Sequence, residues 1–103
     1  MVFPAVALSF IVPVRNDADG IERCLKSIVA AASGHGFELI VMDNGSIDGS
    51  GARARALGAT VIQLDGSVAR LRNAAAHAAR GQLLAFIDAD HEIDPHWVNA
   101  ATE

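Results

Sequence analysis

The sequence is poor in several features that would settle its class at once. It holds one cysteine, Cys24, so no disulfide can close within the chain and nothing signals an oxidising compartment. Basic residues are not in excess: 8 lysines and arginines stand against 12 aspartates and glutamates, a net charge of −4. A nucleic-acid footprint needs a basic stripe, so that partner class is set aside. The one lysine, Lys26, comes early in the chain, whereas a receiver-like phosphoacceptor domain wants a lysine late in its sheet. Repeats, low-complexity stretches and internal linkers are missing too. So is an apolar run of the roughly 20 residues that span a bilayer. The N-terminal "MVFPAVALSFIVPV" lacks a basic leader segment and is broken by Pro4 and Pro13, and it reads as a short tail entering a buried strand.

What is present is a globular composition, 51% hydrophobic and 19% charged over 103 residues, enough for one domain with a modest core. Its apolar residues come in a cycle. Residues 7–13, "ALSFIVP", are β-rich and continuously apolar, as a strand covered on both faces should be. From Gly20 to Ala32, residues Ile21, Cys24, Leu25, Ile28, Val29 and Ala32 make one helical face, with Asp19 and Glu22 as a capping-box-like start. The second strand is "FELIVMD", 37–43; a short helix then stops at Leu57-Gly58. "ATVIQL", 59–64, is the third strand, and Ser67 caps a third helix that turns Val68, Leu71, Ala75 and Ala78 inward and ends at Arg80-Gly81. "LLAFI", 83–87, is a fourth strand expected to be fully buried, and Asp94-Pro95 form an N-cap and N1 pair for one more helix. Strand–helix alternation predicts an α/β fold of parallel strands joined by right-handed crossovers.

Ligands of such sheets sit outside the carboxyl ends of the strands. Those ends carry "PVRND", "MDNGS", "LDGS" and "IDADHE", so polar and acidic residues gather on the one edge where a site is expected. Asp88 and Asp90, two apart at a strand end, can turn to one side as the chain leaves the sheet. Hard anionic oxygens suit Mg²⁺ or Mn²⁺, and so few carboxylates seldom saturate such an ion, so substrate phosphates supply the rest. The competing reading is a solvated acidic turn with Asp94 as a helix cap. For Asp43 and Asn44, a hydrogen bond to a nucleobase or ribose competes with ordinary turn chemistry, and Asp48 or Ser50 can cap the next helix. Arg70 and Arg72 are two apart on a helix and so project differently; one of them is expected at the site, where arginine can pair with phosphate. His77 and Arg80 read as surface residues and Cys24 as core.

Four motifs follow one another in order: Pro13-Val14-Arg15-Asn16 after the first strand, Asp43-Asn44-Gly45-Ser46 after the second, Arg72-Asn73 opening a helix, and Gly81 before the strand that leads to Asp88-Ala89-Asp90. Over residues 8 to 98 this ordered set resembles the N-terminal half of a family-2 glycosyltransferase with the GT-A fold. The resemblance implies a three-layer Rossmann-like parallel sheet of about four strands with helices on both faces. Residues 1–103 would then be the nucleotide-diphospho-sugar-binding half, with the acceptor half and its general base lying elsewhere. It further implies metal-dependent transfer of a sugar, with inversion, from a UDP-, GDP- or dTDP-sugar to a sugar, lipid or protein acceptor. Pro13, Val14, Arg15, Asn16, Asp43 and Asn44 would hold the nucleoside, and Arg72 would approach the diphosphate or nucleoside. Asp88 would contact the ribose or metal across Ala89 from Asp90, which would coordinate Mn²⁺ or Mg²⁺. Arg15 stands where many members have Tyr or Phe, and Asn44 where many have Asp, so the base stays open. A cytoplasmic location is expected, peripheral to the membrane in a longer protein. An exposed edge at Leu83 to Ile87 would invite self-association into a homo-oligomer. A non-catalytic nucleotide-binding or interaction domain is the alternative of another class. A dehalogenase-like phosphatase fits less well, because its Asp-x-Asp follows the first strand and here it follows the fourth.

Overall fold

The computed structural model describes residues 6–102, so the N-terminal tail read at 1–5 lies outside the described residues. Strands and helices alternate as β1 (Leu8–Val14), α1 (Ala18–Ala32), β2 (Phe37–Asp43), α2 (Ser50–Ala56), β3 (Thr60–Gln63), α3 (Val68–Ala78), β4 (Leu83–Phe86) and α4 (Trp97–Thr102). All strand pairs are parallel, in the order β3-β2-β1-β4. The chain steps from β1 to β2 to β3 in one direction, then crosses back to lay β4 on the far side of β1. A crossover of fixed hand puts its helix on one face when the chain steps one way and on the other when it returns. Accordingly α1 and α2 pack together on one face, with α4 against α1, and α3 covers β1 and β2 on the other. The expected three-layer α/β sheet is what forms. Among the described residues no helix is long and apolar enough to cross a membrane.

Strand β1 is central and its alternation divides the core. Leu8, Phe10, Val12 and Val14 meet Ile21, Cys24, Leu25 and Ile28 of α1, while Ile11 joins Ile40, Met42, Leu71 and Ala75 beneath α3. The α3 side is the thinner layer. Leu71 and Ala75 turn inward as expected, but Val68 is 52% exposed and Ala78 is exposed as well, because only the middle turns of α3 meet the sheet.

Strand β4 also departs from expectation. Of its residues only Ala85 is buried; Leu83, Leu84 and Phe86 stand 42%, 37% and 43% exposed. An apolar run cannot announce whether a layer will cover it, and β4 is the edge of this sheet, with α3 packed chiefly over β1 and β2. Two helix starts shift as well. Asp17, not Asp19, caps α1: its Oδ1 accepts the Gly20 N–H at 3.1 Å, and Asp19 instead pairs with Arg53 of α2. Helix α4 begins at Trp97 and not at Pro95. Asp94 closes the turn before it, with Oδ1 accepting the His96 N–H (2.7 Å) and its carbonyl the Trp97 N–H (2.9 Å). Ser67 caps α3 as expected, accepting the Arg70 N–H at 3.2 Å.

The entry to β4 is fixed by a partly buried hydrogen-bond set at the opposite end of the sheet from the polar loops. The Ser9 hydroxyl donates to Glu38 Oε2 (2.6 Å) and accepts the Gly81 N–H (2.8 Å). Arg80, expected to be a plain surface residue, closes on Glu38 through its backbone N–H (2.6 Å) and its Nε (3.3 Å). Burial alone would raise the Glu38 pKa; the Ser9 hydroxyl and then the Arg80 donors outweigh it and hold the carboxyl below its ordinary value. Gly81 has to be glycine because a Cβ there would lie 2.5 Å from Ser9 Oγ, 2.7 Å from Ser9 N and 2.8 Å from the Leu8 carbonyl carbon. Backbone atoms cannot step aside, so Gly81→Ala is expected to destabilise the fold by about 1–3 kcal/mol. Thermal unfolding checks this, and an unchanged melting temperature would show that the β4 entry is not tightly packed.

Candidate functional site

Where the strand order reverses, β1 and β4 are neighbours whose chains leave in opposite directions, and in open sheets of this kind ligands sit outside those carboxyl ends. Four loops follow the carboxyl ends of the four strands. The one after β1 carries Arg15, Asn16 and Asp17; the one after β2 runs from Asn44 to Gly49; the one after β3 carries Asp65 and Gly66; the one after β4 runs from Asp88 to Ile93.

The first three loops are stitched to one another. Asn16 takes a left-handed backbone (φ 50°), which asparagine tolerates better than most residues. Its N–H donates to Ser46 Oγ at 2.9 Å and its Oδ1 accepts the Ile47 N–H at 2.8 Å. Ser50 Oγ accepts the Asp17 N–H (3.2 Å), and Asp48 Oδ2 accepts the Ala18 N–H (3.0 Å). The N-cap of α2 is Gly49, and Asp48 also receives the Ser50 N–H, so Asp48 serves the starts of two helices. The Asn44 amide spans to the third loop, donating to the Gly66 carbonyl and accepting the Gly66 N–H, both at 3.3 Å.

Asp43 ends β2 at the floor of a cleft of about 600 Å³ that Ser46, Gln63, Asp65 and Arg70 also line. It is 3% exposed. Its Oδ1 accepts the Ser46 N–H at 3.0 Å. Every fully buried side-chain nitrogen or oxygen among the described residues has a hydrogen-bond partner. Oδ2 of Asp43 has no partner among the described residues, so it is not fully buried. The adjacent Gly51 leaves it room, since a Cβ there would sit 2.9 Å from Oδ2. Arg70, whose guanidinium donates to the Asp65 carbonyl at 2.8 Å, is thus the arginine that lines the Asp43 cleft. Arg72 instead stands over the Phe86 ring, 5.4 Å from its centroid, near the end of β4.

Past β4 the chain makes a turn at residues 89–90. Ile87, Ala89 and Ile93 pack on the core, while Asp88, Asp90 and Glu92 are exposed. The small Ala89 is therefore a spacer whose methyl points inward and which leaves both flanking carboxylates on the outside. His91, whose N–H donates to the Asp88 carbonyl at 3.0 Å, swings its ring back over them. Its Nδ1 lies 3.3 Å from Asp90 Oδ1 and 3.7 Å from Asp88 Oδ2. One ligand atom from each of Asp88, Asp90 and His91 falls within 4.8 Å of the others. Beneath them Cys24 is fully buried. Burial pushes its thiol up to about 12, with the Asp88, Asp90 and Glu92 carboxylates adding to the shift, so it stays protonated and inert.

The residues the resemblance assigns to the donor site lie at the carboxyl ends of the strands or on α3 beside them, but not all present a side chain there. Val14 is core, contributing its carbonyl to the Asn44 N–H at 2.9 Å, and Ala89 is core as well. Pro13 is half-buried, and Arg15 lines a smaller cleft with Asn44, Asp65 and Gly66. Of the other cleft residues, Ser46 and Asp65 stand in the "MDNGS" and "LDGS" strand ends, and Gln63 carries no signal beyond its place at the end of β3.

Residues 9–103 match the family described as glycosyl transferase family 2. The chain belongs to glycosyltransferase family 2. A relative in this family, glycosyltransferase AglE of Haloferax volcanii, is 32% identical over 100 residues, covering 88% of this chain and 33% of AglE. Among solved structures, TarS residues 1–349 of S. aureus superposes with a TM-score of 0.80 at 30% identity, over 93% of this chain and 31% of that one. Glucosyl-3-phosphoglycerate synthase from Mycobacterium tuberculosis, in complex with Mn²⁺, UDP and glucosyl-3-phosphoglycerate, superposes with a TM-score of 0.75 at 28% identity, over 90% of this chain and 37% of that one. This family-2 chain thus spans about a third of the length of its relatives.

Proposed function

We propose that this domain binds a nucleotide-diphospho-sugar, a UDP- or GDP-sugar first among the candidates, and serves as the donor side of a sugar transfer to a sugar, lipid or protein acceptor. The observation that carries the reading is the convergence of Asp88, Asp90 and His91 after β4, on the same sheet edge as the Asp43 cleft. The donor set fits a divalent cation. Two exposed carboxylates supply hard oxygens suited to Mn²⁺ or Mg²⁺, and positions are left over for phosphate and water. Asp88 and Asp90 would hold the ion, with His91 within reach. When bound, such an ion offsets the charge that grows on a departing diphosphate.

The chain's own residues do the rest. Asp43 Oδ2 accepts an N–H or O–H from the base or ribose. Arg70 and Arg72 place two guanidinium groups on the rim, where an arginine pairs with phosphate oxygens. Asn16 and Asn44, their amides engaged between loops, hold the nucleoside cleft in shape. Transfer with inversion needs a base within reach of the acceptor hydroxyl, and we place that base, with the acceptor site, in the part of the family fold these 103 residues do not contain. The same reading carries a cytoplasmic location, at the membrane surface where the acceptor is a lipid.

Calorimetric titration of UDP and GDP, with Mn²⁺ and with EDTA, tests this. Nucleotide affinity should rise by about tenfold or more with Mn²⁺, because phosphate oxygens complete the ion's shell. Equal binding in EDTA would leave the acidic loop as a solvated turn.

A further inference from the structure

We propose that Ser27 is a positioning residue for the acidic loop, fixing its far end so that the Asp88 and Asp90 carboxylates converge; this rests on the reading of those carboxylates as the cation site. The loop has two attachments to α1, both from side chains three apart on that helix. At its start, the Cys24 thiol donates to the Asp88 carbonyl over 3.7 Å, a weak bond from a group with no other task. At its end, Ser27 Oγ accepts the Ile93 N–H at 3.1 Å. The serine hydroxyl is itself oriented: its hydrogen goes to the Cys24 carbonyl, one turn back, at 2.7 Å, which turns a lone pair toward the loop.

Between these two points lie six residues, 88 to 93, and the rest of what anchors them is apolar contact by Ala89 and Ile93 and the turn that carries the His91 N–H to the Asp88 carbonyl. Contact of that kind resists withdrawal from the core but does little to fix rotation about the chain direction. A hydrogen bond to a helix does fix it. Asp90 lies three residues from Ile87, whose N–H still pairs with the Ile11 carbonyl at 3.0 Å, and three from Ile93, so its carboxylate direction depends on the Ser27 attachment as well as on the sheet. A divalent ion with oxygen ligands is sensitive to this, because it gains affinity from each carboxylate already in place.

Ser27→Ala removes the acceptor without weakening α1, since alanine is the better helix former. Ser27→Thr keeps the hydroxyl and its bond to the preceding turn. The measurement is Mn²⁺ affinity in the presence of saturating UDP or GDP, followed by the electron paramagnetic resonance of free Mn²⁺, together with amide exchange at Ile93 and thermal unfolding. Ser27→Ala is expected to raise the Mn²⁺ dissociation constant by about five- to tenfold, the scale of one hydrogen bond. It should speed exchange at Ile93 and leave the melting temperature near that of the parent, with Ser27→Thr within about twofold of the parent. An unchanged Mn²⁺ constant in Ser27→Ala, while Asp90→Asn abolishes Mn²⁺ binding, would overturn the positioning role and leave the cation site standing. No Mn²⁺ binding by the parent with either nucleotide would overturn the cation site and this role with it. A loss in both Ser27 variants accompanied by a lower melting temperature would assign Ser27 to the fold alone and overturn its positioning role.

Discussion

Replacing Asp90 with asparagine is expected to strip nucleotide binding of its dependence on Mn²⁺, with a loss on the order of 100-fold in Mn²⁺-supported affinity. Removing a group that merely supports a metal ligand costs roughly 10- to 100-fold, and Asp90 is placed here as a ligand itself. Its carboxylate lies on the outer side of the loop, beside that of Asp88, with the His91 ring 3.3 Å away. The free protein should be no less stable for the change. Asp88, Asp90, Glu92 and Asp94 put four like charges within seven residues, all exposed, and asparagine relieves part of that crowding. A melting temperature equal to or slightly above that of the parent, with Mn²⁺ dependence lost, fits a carboxylate placed for an ion. A lowered melting temperature with Mn²⁺ dependence intact would make Asp90 a structural residue of the turn.

Much of this arrangement was legible from residues alone, for a physical reason. Buried parallel strands are continuous apolar runs, their helices carry one apolar face, and sites on such sheets lie at one end of the strands. "SFIVPV", "FELIVMD" and the Cys24–Leu25–Ile28 stripe state all of that locally. What local pattern cannot carry is which neighbour a residue meets. The run Leu83 to Phe86 is as apolar as β1, yet it forms the sheet edge, because strand order is decided by crossovers and not by composition.

The same limit explains the helix start. Asp17 and Asp19 are both good caps by type. Asp17 wins because Gly20 has no Cβ to collide with its carboxylate, an approach of 2.2 Å otherwise, while Asp19 finds Arg53 thirty-four positions away. Ser46, Ser50 and Asp48 looked like turn punctuation, and they are that, but each also bridges to the loop after β1. Ser27 gave no signal at all: a serine between Lys26 and Ile28 on a helix reads as a neutral surface position until the loop above it is seen.

Asp43 is where two readings of one residue, turn former and proposed nucleoside contact, can be divided between the two oxygens of one carboxylate. Oδ1 receives the Ser46 N–H and so shapes the turn; Oδ2 has no partner among the described residues and is the oxygen proposed for the nucleoside. Asp43→Ala should therefore lower both quantities: nucleotide affinity by about 1–3 kcal/mol, and the melting temperature as well, since the Ser46 N–H loses its acceptor. Alanine alone cannot separate the two roles, but asparagine can. Its amide oxygen takes over the bond from Ser46, which forces the NH₂ group into the place of Oδ2. The turn should then survive, with a melting temperature near that of the parent, while a donor now faces the N–H or O–H the nucleoside brings. Two donors meet and affinity should fall about as far as in the alanine variant. Gly51→Ala gives an independent check, because its methyl would press on Oδ2 from 2.9 Å without touching Oδ1. If Asp43→Asn and Gly51→Ala both bind UDP and GDP as the parent does, Oδ2 contacts no nucleoside and Asp43 belongs to the turn alone.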